Sequence, residues 1–118
     1  MKKLITLLLL SFFVAVCGQV DANEYEKIFS PENVIVDVRT PSEYQYGHLE
    51  KAVNIPLNKI EADIKYFAPD KNQTVVVYCA SGHRAGMAEK KLKEMGYNNV
   101  INAGKYEELK KLEGKRKQ

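Results

Sequence analysis

Cys79 heads the run Cys79-Ala80-Ser81-Gly82-His83-Arg84-Ala85-Gly86, a thiol followed by three small residues, an ionisable ring and a guanidinium. Val75-Val76-Val77-Tyr78 before it reads as a buried strand, and Ala85 to Met95 after it reads as an amphipathic helix. A thiol between a strand end and a helix start meets backbone N–H groups and the positive end of the helix dipole, which favour the thiolate and can hold an anion. Ala80, Ser81 and Gly82 are small enough for the backbone to curl and turn its N–H groups inward as an anion nest. Arg84 adds a fork of donors suited to oxyanions. The chemistry this arrangement favours is nucleophilic: Cys79 attacks an anionic substrate and captures part of it covalently. The substrate would sit on Ala80, Ser81, Gly82, His83, Arg84 and Ala85.

The other polar residues take supporting parts. Arg84 either steers the anion or stands solvated on the first turn of the helix. His83 is either a rim residue with a tunable charge or an exposed loop residue. Asp37, at the end of the apolar run Val34-Ile35-Val36, is expected to support the site by accepting hydrogen bonds from backbone N–H groups of the active loop. Arg39 and Glu43, four apart, are expected to form a structural ion pair. His48, between Gly47 and a strand, reads as a residue that holds its own loop. Two histidines, and one cysteine once the N-terminal segment is set aside, give no metal-ligand spacing. No metal site is expected from this spacing.

These residues must be positioned by a frame, and the hydrophobic pattern supplies it. Val34–Val38, Ala52–Ile55, Val75–Tyr78 and Val100–Asn102 are short β-branched runs that read as strands. Between them, Thr40-Pro41-Ser42-Glu43 carries the signature of a capping box with proline in the first turn, and Gly47 ends that short helix. Leu57, Ile60, Ile64 and Phe67 recur at helical spacing. So do Ala85, Ala88, Leu92 and Met95, ahead of a stop at Gly96. A last helix is expected from about Tyr106 to Leu112, and Glu24 to Phe29 reads as helical or irregular. Strands alternating with helices predict an α/β fold, a doubly wound parallel sheet of four to five strands with helices on both faces. Only residues 23–33 precede the first strand signal, which favours four. Right-handed crossovers put the strands' C-terminal ends on one edge, where open α/β sheets bind ligands. Asp37, Cys79 and Asn102-Ala103-Gly104 all fall there.

Two thiol chemistries handle anions on such a loop. Protein phosphatases of the cysteine class place five residues between the cysteine and the arginine. Here four residues intervene, and Ala85 stands where the phosphatase arginine belongs. The six-residue loop Cys79 to Arg84 instead resembles that of the rhodanese (sulfurtransferase) family. The resemblance extends to Asp37-Val38-Arg39-Thr40-Pro41-Ser42-Glu43-Tyr44, Gly47-His48-Leu49 and Ala52-Val53-Asn54-Ile55-Pro56, in matching order across residues 34–112. With Glu94-Met95-Gly96-Tyr97 and Asn102-Ala103-Gly104 the chain looks most like the exported, single-domain phage-shock branch. Two departures stand out: Ala103 interrupts a late Gly-Gly pattern, and Ala80 lacks the basic side chain that some thiosulfate-specific members carry. The resemblance implies a thiosulfate-type sulfurtransferase that moves a sulfane sulfur through a Cys79 persulfide to cyanide, a thiol or a partner protein, with no metal and no organic cofactor. A persulfide carrier serving a partner protein, without turnover, is the alternative.

The N-terminus has its own pattern. Met1-Lys2-Lys3 is basic, Leu4 to Val16 is thirteen uncharged and mostly aliphatic residues, and Val20-Asp21-Ala22 offers a cleavage site. This reads as a secretory signal over residues 1–22, with a single domain over 23–118 in an exported, periplasmic setting. Thirteen residues fall short of the ~20 that span a bilayer, so no stable membrane anchor is expected after cleavage. Acylation at Cys17 is the competing reading, disfavoured by the large, branched Val16 before it. Removing Lys2, Lys3 and Asp21 takes the formal net charge from +3 to +2. That is too weak to argue for nucleic acid, and residues 114–118 read as a solvated basic tail. One cysteine after cleavage excludes an internal disulfide, so the thiol is either buried or used.

Overall fold

The computed structural model describes residues 22–117. Residues 1–21 of the signal reading, Cys17 among them, lie outside the described residues. The first helix, α1, runs Ala22–Phe29 and resolves the helical-or-irregular reading of that stretch in favour of helix. Strand β1 (Val34–Asp37) leads to helix α2 (Pro41–Tyr46), then β2 (Val53–Asn54). A 3-10 turn at Leu57–Lys59 runs into helix α3 (Ile60–Phe67). Strand β3 (Val75–Cys79), helix α4 (His83–Glu94), strand β4 (Val100–Lys105) and helix α5 (Tyr106–Arg116) complete the order. All strand pairs are parallel, and the sheet order is β2-β1-β3-β4. Among the described residues four strands form, and the doubly wound parallel sheet expected from the alternating pattern is the fold observed.

β3 is central, and all five of its residues are fully buried. Successive side chains in a strand point to opposite faces, and the two apolar layers divide β3 on that rule. Val75, Val77 and Cys79 pack with Ile60 and Ile64 of α3 and with Ala85, Ala88 and Leu92 of α4. Val76 and Tyr78 pack with Ile28 of α1 and with Tyr106 and Leu109 of α5. The period of two that marks the strand thus also sends the thiol to the α4 side, under the start of that helix. Ala85 and Ala88, the small members of the α4 stripe, let the helix lie close to the sheet.

The turn chemistry that frames α2 is as the sequence signals. Thr40 caps the helix, with the Glu43 N–H donating to Thr40 Oγ1 and the Thr40 N–H donating back to the Glu43 carboxylate. The chain leaves α2 at Gly47, where a Cβ would lie 2.9 Å from the hydroxyl of Tyr106, so a side chain there would collide with α5.

β2 keeps only Val53–Asn54 of the expected Ala52–Ile55, and three other elements differ from the sequence reading. β4 continues past Asn102 to Lys105, because a bulge absorbs one residue: Val77 pairs with Asn102, but Tyr78 pairs with Gly104. Gly104 takes a positive φ of 87°, and its N–H donates to Asn102 Oδ1. A bulge breaks the alternation on which strand recognition depends. α5 continues through Gly114 to Arg116, where the sequence reading ends it at Leu112. The basic end is thus helical through Arg116, and although its residues are exposed it makes surface contacts. Arg116 Nη1 lies 3.3 Å from Glu26 of α1 and its guanidinium covers the Tyr25 ring, while Lys117 Nζ lies 2.7 Å from Glu50. Finally, α4 begins at His83, two residues before the predicted start, which tightens the loop after Cys79.

Candidate active site

Cys79 is the last residue of β3, and only Ala80, Ser81 and Gly82 separate it from α4. So short a connection requires a left-handed residue, and Gly82 supplies it with φ at 96°. The loop folds back over the thiol. Gly82 N–H donates to Cys79 Sγ at 3.0 Å and Ala85 N–H donates at 3.3 Å, while Cys79 itself is fully buried. Ser81 is turned to its own backbone, its Oγ accepting from the His83 N–H at 3.4 Å. Two N–H dipoles and the N-terminus of a twelve-residue helix therefore converge on one sulfur. Such a setting favours negative charge, first on a thiolate and equally on a sulfur bonded to it. A Cβ on Gly82 would lie 3.8 Å from Gly104 Cα, so the Asn102–Gly104 segment borders the loop as the topology predicts.

The charged residues around the loop pair differently from expectation. Arg39 does not bond Glu43. Glu43 instead receives Arg84, whose Nη1 donates to Oε1 at 2.8 Å and whose Nη2 donates to Oε2 at 3.1 Å. Arg84 is thus neither a free donor clamp nor a solvated residue, but one half of a bidentate pair at the mouth of the loop. Hydrogen bonds from Arg84 and the Thr40 N–H hold the Glu43 carboxyl at about 2, well below its ordinary 4.5. The side chains of Arg84 and Glu43 are 32% and 35% exposed, so water screens the pair and it contributes at most about 1 kcal/mol. A carboxyl whose folded value is depressed stabilises the fold above its unfolded value and loses that contribution as pH falls. The stability difference between wild type and Glu43→Gln should therefore be full above about pH 4.5 and vanish near pH 2. Urea unfolding across that range measures it, and a difference that grows toward acid would contradict the pairing.

Asp37 also departs from expectation. Its carboxylate does not reach the N–H groups of the Cys79 loop. Oδ1 accepts from the backbone N–H of Arg39 at 2.9 Å, and the Arg39 guanidinium closes on both oxygens, Nε at 2.9 and 3.1 Å and Nη2 at 2.6 Å. The physical reason is local: a buried carboxylate takes the nearest strong donors, and a guanidinium two residues away offers a fork. Asp37 is fully buried and Arg39 nearly so. Arg39 Nη2 also donates to the Gly47 carbonyl at 2.7 Å, and its guanidinium lies 4.5 Å from the centre of the Tyr106 ring. Bonding to Asp37 pushes the guanidinium further toward its charged form. Asn54 Nδ2 donates to the carbonyls of Asp37 and Arg39, and the Tyr78 hydroxyl accepts from the Leu49 N–H. Burial pushes the Tyr78 phenol up, so it stays a neutral donor and acceptor. Tyr78, Tyr106 and Asn54 were not singled out from the sequence as polar parts of this edge. Tyr78 closes the apolar run Val75-Val76-Val77 with a hydroxyl that needs a partner, a signal that could have found it; Tyr106 and Asn54 carry no such signal.

His48 stacks on Tyr44 with ring centres 3.6 Å apart and sets Nδ1 2.8 Å from the Tyr44 carbonyl, which fits the structural part expected of it. His83 is exposed on the first turn of α4. Among the described residues no group of three His, Cys, Asp or Glu side chains could hold a metal ion.

Comparison with known proteins follows the same outline. The sequence model for the Rhodanese-like domain matches residues 21–111. The chain is 48% identical over 77 residues to thiosulfate sulfurtransferase PspE of Escherichia coli, a match covering 65% of this chain and 73% of that protein. It is 36% identical over 81 residues to the thiosulfate:glutathione sulfurtransferase of Saccharomyces cerevisiae, covering 59% of this chain and 58% of that one. Among solved structures, a rhodanese with anions from E. coli superposes with a TM-score of 0.62 at 45% identity, over 64% of this chain and 88% of the other.

Proposed function

The chain belongs to the rhodanese family, and from that premise we propose that it is a thiosulfate-type sulfurtransferase in which Cys79 carries the sulfur. The observation that supports Cys79 most strongly is the pair of backbone N–H groups, from Gly82 and Ala85, that meet its sulfur. In the first half-reaction the Cys79 thiolate attacks the outer, sulfane sulfur of thiosulfate. A new S–S bond forms to Cys79, the original S–S bond breaks, and its electron pair leaves with sulfite. Cys79 then holds a persulfide whose terminal sulfur is anionic. In the second half-reaction an acceptor such as cyanide or a thiol attacks that terminal sulfur, and the thiolate is regenerated. The loop N–H groups stabilise the negative sulfur in both resting forms, which is what a double displacement through one residue requires.

The parts of the neighbouring residues follow. Ala80, Ser81 and Gly82 keep side chains out of the space above the sulfur, and Ala85 contributes an N–H. Arg84 and His83 stand at the rim where an anionic donor arrives, and Asp37 supports the edge through Arg39. The donor is a small anion, and the acceptor is cyanide, a thiol or a protein thiol. The names of the E. coli and S. cerevisiae relatives support thiosulfate as donor and a thiol as acceptor. Export follows from the basic, apolar and small-residue pattern of residues 1–22. In a compartment outside the cytoplasm the burial of Cys79 limits access of oxidants to a reactive sulfur.

The test pairs two measurements on the protein of residues 23–118. Incubation with thiosulfate should add about 32 Da at Cys79, the mass of one sulfur in the displacement above, and addition of cyanide should release thiocyanate and restore the original mass. A stable adduct with no thiocyanate would replace turnover with carriage to a partner. No adduct at all would sink the proposal.

A further inference from the structure

We infer that Glu43 is a specificity-determining residue that weakens the Cys79 site's hold on doubly charged donors by keeping Arg84 in a neutral pair. The inference rests on the sulfurtransferase reading above and concerns the charge of the donor that reading requires.

Arg84 is the residue before Ala85, whose N–H meets Cys79 Sγ, and its guanidinium experiences the charge of Cys79 as well as that of Glu43. A free guanidinium in that position would present a full positive charge to an arriving anion. Instead both of its Nη atoms are turned onto both oxygens of one carboxylate. That carboxylate is itself fixed from behind. Glu43 Oε1 also accepts from the backbone N–H and from the Oγ1 of Thr40, each at 3.1 Å. The capping box that starts α2 therefore doubles as an anchor for the rim cation, and it joins the end of β1 to the start of α4.

The electrostatic consequence depends on donor charge. Beyond its own dimensions an ion pair acts as a dipole, whose attraction for an anion falls off faster than that of a lone cation. Neutralising Glu43 would restore the lone cation, and the added attraction would scale with the charge of the donor. If a monoanion gains about threefold in affinity, a dianion at the same place gains roughly the square of that, about tenfold. The pair thus lowers the preference for a dianion such as thiosulfate relative to singly charged sulfane donors.

Glu43→Gln isolates the charge, because glutamine serves as well as glutamate at the third position of a capping box. Two donors with an outer sulfane sulfur are compared: thiosulfate, a dianion that leaves as sulfite, and methanethiosulfonate, a monoanion that leaves as methanesulfinate. In each case the Cys79 thiolate takes the outer sulfur and the leaving group takes the electron pair of the broken S–S bond. The variant is expected to show a thiosulfate KM about tenfold lower and a methanethiosulfonate KM about threefold lower, with kcat within about twofold of wild type. The gap between donors should shrink at high salt, as screening requires. It should also disappear in an Arg84→Gln background, since Glu43 acts through Arg84. A higher thiosulfate KM, an equal change for both donors, or an effect that survives loss of Arg84 would each overturn the inference. Intact mass separates this from failure of the underlying reading. Wild-type protein that takes sulfur from both donors while the donor ratio stays fixed in Glu43→Gln refutes the inference alone, whereas protein that takes sulfur from neither refutes both.

Discussion

Replacing Cys79 by serine is expected to lower sulfur transfer by about a thousandfold or more, the equivalent of at least ~4 kcal/mol of transition-state stabilisation. Both hydrogen bonds that Sγ makes come from backbone N–H groups, of Gly82 and Ala85. Donors of that kind stabilise negative charge on a sulfur, but they take no proton from an alcohol. Serine at this place remains protonated, and oxygen is the poorer nucleophile toward divalent sulfur. The fold should survive. The serine oxygen still accepts from the same loop, and the volume change within the β3–α4 layer is that of one atom, so the midpoint of thermal unfolding should move by no more than a few degrees. Steady-state assay, intact mass after thiosulfate and a melting curve decide the matter together. A variant that folds and still turns over within tenfold of wild type would remove Cys79 from the reaction.

The setting of Cys79 was legible in the sequence because the information is local. A β-branched run, a cysteine, three small residues and a helical stripe are all read within twenty residues, and the structure places them as strand end, loop and helix start. The capping box at Thr40 and Glu43 was legible for the same reason. The partners of the charged residues were not. Arg39 and Glu43 sit four apart on the chain, which favours an ion pair only if both lie on one helix, and Arg39 precedes α2. Once Arg39 folds inward to Asp37, Glu43 is left facing α4, and it meets Arg84 forty-one residues away. Spacing along a chain carries no record of such a contact. The extension of β4 was hidden in a comparable way. A bulge at Ala103 shifts the register, and the pattern of alternation that announces a strand ends there although the hydrogen bonding continues.

The largest stability effect is expected at Arg39. Arg39→Met should destabilise the domain by about 3–5 kcal/mol, because it leaves the fully buried Asp37 carboxylate without its cation. Domains of this size are stable by only about 5–15 kcal/mol, so the variant should melt at least about 12 °C lower and be partly unfolded at modest urea. The loss does not mean that the pair contributes that much to folding. Bringing both charges out of water is itself costly, and a buried pair replaced as a whole by neutral groups can be nearly neutral. The double variant Asp37→Asn with Arg39→Met separates the two statements. Asparagine keeps an oxygen for the Arg39 backbone N–H, which Oδ1 now accepts at 2.9 Å, and methionine fills the space beside Tyr106 without a charge. The double variant should therefore recover at least about 1–2 kcal/mol relative to Arg39→Met alone. It should not recover fully, since the Gly47 carbonyl loses the Nη2 donor that fixes the exit of α2. That residual matters for the site. The same segment carries Thr40 and Glu43, so loosening it should alter the Arg84 rim while the hydrogen bonds to Cys79 Sγ stay in place. Urea unfolding of the wild type, both single variants and the double variant gives the coupling directly. An Arg39→Met protein within 1 kcal/mol of wild type, or a double variant no more stable than that single variant, would show that Asp37 does not depend on Arg39 for its burial.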